Sequence, residues 1–309
     1  MKKTFILFFL PYVLFLPQTL FGQSVEEIKQ IVKPFGLVKE EFIGGKSDRF
    51  IIFIAQQHEL DLTFPFNIMI TDTGAVKRET IECQKEIQKI CQSLNKKSIV
   101  SNFLLEGLGN DLDTIKFPDL IKIFRQEYSA DEINYPSDEL LYEHGGAIAA
   151  YLQSSGIKMK VFGAEEDSSN LKAFCLDDAA LFVALFIDSV PYADRKAIIQ
   201  GILLRGSEEE NRMRFRVLDE FTTLADKLGG DTTSIIEAYN YLEDKYSHER
   251  EQVAVNKALK VMKAQHANTL AIVFGAGHFI KKPKFTNFQK LCQQKGINYV
   301  VIYPYTLLK

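Results

Sequence analysis

Short runs of β-branched and aromatic residues recur along this chain, each about one strand long, separated by longer stretches with helical spacing. Phe50-Ile51-Ile52-Phe53-Ile54 carries no polar side chain. Residues 99–105, 159–162, 270–274 and 299–302 also read as strands. An apolar run without polar alternation must be covered on both faces, which is the condition of a parallel sheet packed between helices. Residues 67–71 form a weaker candidate, antiparallel or at an edge. Helical spacing covers 80–94, 138–153, 177–189, 208–227, 234–246 and 249–264. In the last of these Val255, Ala258, Leu259 and Met262 make an apolar stripe. Such alternation predicts an α/β fold with a mixed, mostly parallel β-sheet flanked by helices. From 177 to 264 helices follow one another without a strand, which predicts a helical insertion or cap within a single domain spanning 23–309.

The N-terminus is read separately. Lys2 and Lys3 precede an apolar run at 5–16, interrupted by Pro11 and followed by Pro17, Gln18 and the small residue Gly22. That is the order of a secretory signal, and the run is short for a membrane span. Residues 1–22 are therefore expected to be a signal peptide removed near Gly22, leaving an exported (periplasmic or secreted) chain with no transmembrane helix. The chain as a whole has the make-up of an ordinary globular protein, at 46% hydrophobic and 25% charged. A formal charge of −3 without a basic block excludes a nucleic-acid footprint. Of the four cysteines, Cys83 and Cys91 lie eight positions apart on a helical stretch. They stand about 12 Å apart along the axis, too far to bridge each other. Disulfides to other partners and buried free thiols both stay open.

Chemistry is expected at strand ends, where ligands bind in open α/β sheets. His58 follows the first strand in Ala55-Gln56-Gln57-His58, and His278 follows a later one in Gly275-Ala276-Gly277-His278. Gly275 and Gly277 would let the backbone turn and approach a ligand or cofactor. Glu106 closes the strand at 99–105 and Glu165 the strand at 159–162, each a candidate base or metal ligand. Two histidines with a carboxylate are a common set for a divalent ion such as zinc, manganese or cobalt. His248-Glu249-Arg250-Glu251-Gln252 begins like a zinc-protease helix but lacks the second histidine, so that reading fails. His144 and His266 fall on helical stretches and read as surface or packing residues.

These landmarks together resemble the superfamily of TraB/PrgY-like, Tiki-like, ChaN-like and erythromycin-esterase-like proteins. The matching pieces are Ala55-Gln56-Gln57-His58, Leu105-Glu106-Gly107, Gly163-Ala164-Glu165, Glu249-Arg250-Glu251 and Gly275-Ala276-Gly277-His278. The chain departs from the usual pattern at Ala55-Gln56-Gln57, at Glu251 after the helix arginine, and at Ala254. The resemblance implies metal-dependent peptidase, esterase or haem-binding activity, according to the group. The expected function is thus an exported, metal-dependent hydrolase of a peptide or small-molecule ester. His58, Glu106, Glu165 and His278 would be ligands, with His58, Glu106, Arg250 and His278 as catalytic groups and Glu249 as a further partner. The alternative is a haem- or iron-binding protein without turnover. Arg250, off the apolar stripe, would hold a substrate carboxylate or an oxyanion and matter little to folding.

Intact-mass measurement of the exported protein is expected to show a chain beginning close to Gln23. A Met1 or Lys2 terminus in exported material would mean that the apolar run is retained.

Overall fold

The computed structural model describes residues 16–57, 73–107, 128–154, 159–165, 171–173, 175–176, 178–179, 207–280 and 284–309. Its elements in chain order are α1 (Leu16–Val32), β1 (Gly36–Phe42), β2 (Phe50–Gln56), α2 (Thr73–Lys96), β3 (Asn102–Leu105), α3 (Ala130–Asn134), α4 (Asp138–His144), α5 (Gly146–Leu152), β4 (Lys160–Gly163), α6 (Glu208–Leu228), α7 (Thr232–Ala264), β5 (Thr269–Gly275), α8 (Phe288–Gln294) and β6 (Asn298–Pro304). Short 3₁₀ turns follow β5 at Ala276–Phe279 and β6 at Tyr305–Leu308.

One six-stranded sheet runs in the order β1-β6-β2-β5-β3-β4. The five strands expected from their apolar runs are the five mutually parallel ones. Strand β2 is central and pairs along its whole length with β5. Its side chains alternate between the two faces. Phe50, Ile52 and Ile54 join α1, α2, α4 and α5 in one core, while Ile51, Phe53 and Ala55 join α7 and α8 in the other. This two-sided burial is why the strand sequences lack polar alternation.

The edge strand β1 is antiparallel to β6 and was not anticipated. Its sequence, with Lys39, Glu40 and Glu41, is half exposed and charged, which hides it from a search for apolar runs and blunts the edge against pairing. The edge candidate at 67–71 lies outside the described residues. The expected helix at 138–153 is two helices. Gly145 breaks it at φ 82°, a conformation that favours glycine. Gly146 then lies against α2, where a Cβ would stand 1.9 Å from the Gln84 carbonyl oxygen.

Conversely, the two helices expected at 234–246 and 249–264 are one helix of 33 residues, α7. Its buried face changes along its length. Ile235, Ala238, Tyr239, Leu242 and Tyr246 pack with α6 and residues 175, 176 and 179 in a third cluster. Ala254, Val255, Ala258, Val261 and Met262 pack on the sheet. At about 100° per residue these two faces differ by roughly 145° around the axis, so the stripe stops and restarts in the sequence while the backbone continues. The helical insertion between β4 and β5 is thus present, built among the described residues from α6, the first half of α7 and short pieces at 171–179. Of the helix expected at 177–189, only 178 and 179 are described.

Cys83, Cys91, Cys175 and Cys292 are free and buried, with Cys83 and Cys91 both on α2 as their spacing required. Burial pushes the Cys83 and Cys292 thiols up to about 12 and that of Cys175 to about 11, which makes them poor nucleophiles. No described helix is long and apolar enough to cross a membrane.

Gly146→Ala is expected to lower stability by about 1–3 kcal/mol, because the added methyl meets main chain that cannot rotate away. Urea unfolding should show a lower midpoint with an unchanged slope. A midpoint equal to the parent's would show that α5 can move away from α2 at little cost.

Candidate functional site

The carboxyl ends of β3, β4 and β5 are adjacent and in register, Leu105 pairing with both Gly163 and Val273. Ladder bonds run one residue past the strands, from Glu106 N to the Val273 carbonyl and from Ala164 N to the Leu105 carbonyl. Glu106 and Glu165 therefore leave neighbouring strands at the same edge, and both side chains are almost wholly buried.

Arg250 lies between them. Its position on α7 falls between the two apolar faces of that helix, aimed at the strand ends. Its Nη2 donates to Glu106 Oε1 at 2.6 Å and its Nε donates to Glu165 Oε1. The guanidinium also stands over the Phe274 ring, 5.4 Å from its centroid. Burial works to lower the pKa of Arg250, but the charges of Glu106 and Glu165 outweigh it and the net shift is upward. The guanidinium is permanently charged. The remaining oxygens of the two carboxylates are held by main chain: Gly275 N donates to Glu106 Oε2 at 2.5 Å, and Gly107 N donates to Glu165 Oε2 at 3.0 Å. Gln56 Nε2 at the end of β2 reaches Glu106 Oε2 at 3.4 Å.

His278 completes the described cluster. The 3₁₀ turn after β5 places its ring edge-on to Phe274, with centroids 4.6 Å apart, and close to Phe288. Its Nδ1 lies 2.9 Å from Glu251 Oε1. Glu251 is fully buried. The ring presents Nδ1 to Glu251 and turns Nε2 away from it. Nε2 stands 3.7 Å from Glu106 Oε1, outside hydrogen-bonding distance. The imidazole is thus oriented by a carboxylate on one nitrogen and faces the Arg250–Glu106 pair with the other.

Of the residues singled out in the sequence, Glu106, Glu165, Arg250 and His278 come together. His58 follows Gln57 directly and lies outside the described residues. Gly275 does not make the expected sharp turn; its φ of −52° and ψ of 137° suit any residue, and its N–H is engaged by Glu106. Gly277 has open space where a Cβ would stand. Glu249 pairs with Lys172 at 2.8 Å instead of joining the cluster. His248 bonds through Nδ1 to the Thr286 carbonyl oxygen at 2.7 Å. His144 packs edge-on to Tyr128, and His266 is exposed at a positive-φ turn after α7, as packing and surface residues would. Two contributors were missed. Glu251 had registered only as a departure from a motif, and Lys257, whose Nζ donates to the Glu165 carbonyl, had not registered at all. The available signal was a lysine between the apolar positions 255 and 258.

In the described part of the expected ligand set, both carboxylates are engaged by Arg250, whose guanidinium bridges Glu106 and Glu165. Among the described residues no group of three or more His, Cys, Asp or Glu is arranged to hold a metal. Arg250 itself, expected to be dispensable for folding, is instead the counter-ion of two buried carboxylates.

No family model matches the chain. No curated protein matches it either. Among solved structures it overlaps with a mutant of the erythromycin esterase EreC in its open conformation, at 12% identity, over 82% of this chain and 69% of that chain, with a TM-score of 0.36. A superposition that loose assigns neither chemistry nor substrate.

Arg250→Met is expected to cost about 3–5 kcal/mol, since it leaves two buried carboxylates without their cation. Urea unfolding at neutral pH reads this directly. A loss below about 1 kcal/mol would place Arg250 among solvated surface arginines.

Proposed function

We propose that this chain is a hydrolase of an ester or peptide bond in which His278 is the general base that activates water. The observation that carries this reading is the His278–Glu251 pair: a buried carboxylate 2.9 Å from Nδ1 holds the ring plane, and with the proton on Nδ1 it would leave Nε2 as the acceptor. Water bonded to Nε2 would give up its proton as its oxygen attacks the carbonyl carbon. The imidazolium so formed would be stabilised by Glu251, as a triad carboxylate stabilises its histidine. Nε2 would then return the proton to the departing alkoxide or amine. Arg250 would supply fixed positive charge beside the developing oxyanion, although both of its described bonds go to Glu106 and Glu165.

The metal-dependent form of the reading, with His58, Glu106, Glu165 and His278 around zinc, manganese or cobalt, has less support, because Arg250 holds the carboxylates it needs. Haem or iron binding without turnover has no separate observation in its favour. Export after removal of residues 1–22 belongs to the same proposal and would place the substrate outside the cytoplasm.

The test uses purified protein, a panel of nitrophenyl esters and chromogenic peptides, and a parallel set of reactions with chelator. Hydrolysis above the uncatalysed rate is expected, insensitive to chelator and reduced about 10²–10⁴-fold in His278→Ala. Glu251→Gln, which keeps shape and removes charge, should lower kcat while leaving KM little changed. Activity lost to chelator and restored by zinc or manganese would move the reading to a metal. A coloured protein with a Soret band and no turnover would move it to haem binding.

A further inference from the structure

Helix α7 puts a third charged residue into this region. Lys257 is seven residues, or two helical turns, beyond Arg250, about 10 Å along the axis. It is only 5% exposed, on a stretch of helix where Ala254, Ala258 and Val261 are also buried. Burying an ammonium group costs far more than burying the methylenes that carry it, so a lysine here needs a compensating partner. Its Nζ donates to the main-chain carbonyl of Glu165, the residue whose carboxylate meets Arg250.

Glu165 is consequently held at three points. Lys257 holds its carbonyl, Arg250 Nε holds Oε1, and Gly107 N holds Oε2. Two of the three come from the same helix, two turns apart. The turn after β4 is thereby strapped along α7. If the carbonyl were released, the backbone at 164–165 could rotate, and the carboxylate would lose its fixed approach to Nε. Arg250 also holds Glu106, which stands beside His278 Nε2, so a displacement at Glu165 reaches the imidazole through one guanidinium.

We infer that Lys257 is a positioning residue: its buried ammonium anchors the Glu165 main chain to α7 so that the Glu165 carboxylate fixes the Arg250 guanidinium beside Glu106 and His278. The catalytic consequence rests on the hydrolase reading above; the structural consequence does not.

The experiment compares the parent chain with Lys257→Met, which keeps length and removes donor and charge, and Lys257→Arg, which keeps both. NMR of the arginine Nε–Hε groups is the first readout, with the Arg250 signal assigned by its loss in Arg250→Lys. The parent should show a sharp, exchange-protected signal. Lys257→Met should shift or broaden it, and Lys257→Arg should restore it. Circular dichroism confirms that each variant is folded; if Lys257→Met is not, Lys257→Gln is read by the same criterion. Where the parent turns over an ester, kcat should fall by up to about 10²-fold in Lys257→Met with KM little changed, the scale of a small misplacement of catalytic groups. An Arg250 signal unchanged in a folded Lys257→Met or Lys257→Gln chain overturns the inference, as does equal loss in Lys257→Arg, which would reduce Lys257 to a packing residue. A parent chain that hydrolyses nothing sinks the hydrolase reading alone and leaves Lys257 to be decided by the Arg250 signal.

Discussion

A single guanidinium lies between two buried carboxylates, and the carboxyl end of the sheet is organised around it. Glu106 and Glu165 emerge from adjacent parallel strands with their side chains turned inward, 6% and 2% exposed. Without a cation between them, two carboxylates so placed would repel each other in a medium of low dielectric. Arg250 resolves this with separate bonds to each, and the amides of Gly107 and Gly275 satisfy remaining oxygens. Replacing such a cluster by well-packed apolar groups can be neutral or even stabilising, whereas removing one member is expensive.

The helix that supplies Arg250 ties two parts of the molecule together. Its first half belongs to the helical insertion and its second half to the sheet, and the buried face rotates between Tyr246 and Glu251. Arg250 and Glu251 sit at that change of face. Both reach the strand ends, Arg250 at Glu106 and Glu165 and Glu251 at His278. A helix with one continuous apolar stripe would have had no polar residue available there. The same geometry explains why Arg250, Glu251 and Lys257 all engage the strand-end region, through Glu106 and Glu165, His278, and the Glu165 carbonyl respectively.

The parts legible in the sequence were those governed by local rules. The five parallel strands could be read because a strand covered on both faces has an unbroken apolar run, and Glu106, Glu165 and His278 because they follow such runs directly. Strand β1 escaped because one side of an edge strand is solvated and its lysine and glutamates resemble a loop. The length of α7 escaped because periodicity tracks which face is buried and not whether the backbone continues. Arg250 was expected to matter little to folding because it lies off the sheet-facing stripe; being off that stripe places it against the strand ends, between two buried carboxylates.

By itself the sequence determined the parallel sheet, its flanking helices, the helical insertion before β5, and which side chains stand at strand ends. Each of these follows from side-chain chemistry within a window of a few turns. Only the tertiary structure decided the pairings: Arg250 with Glu106 and Glu165 across 144 and 85 positions, Glu251 with His278 across 27, and Lys257 with the Glu165 carbonyl across 92. Those pairings depend on the strand order, in which β5 inserts between β2 and β3 and so brings His278 beside Glu106. Strand order is set by the packing of the whole sheet against its two helical layers, and a charged residue carries no local mark of the partner that such packing will bring to it.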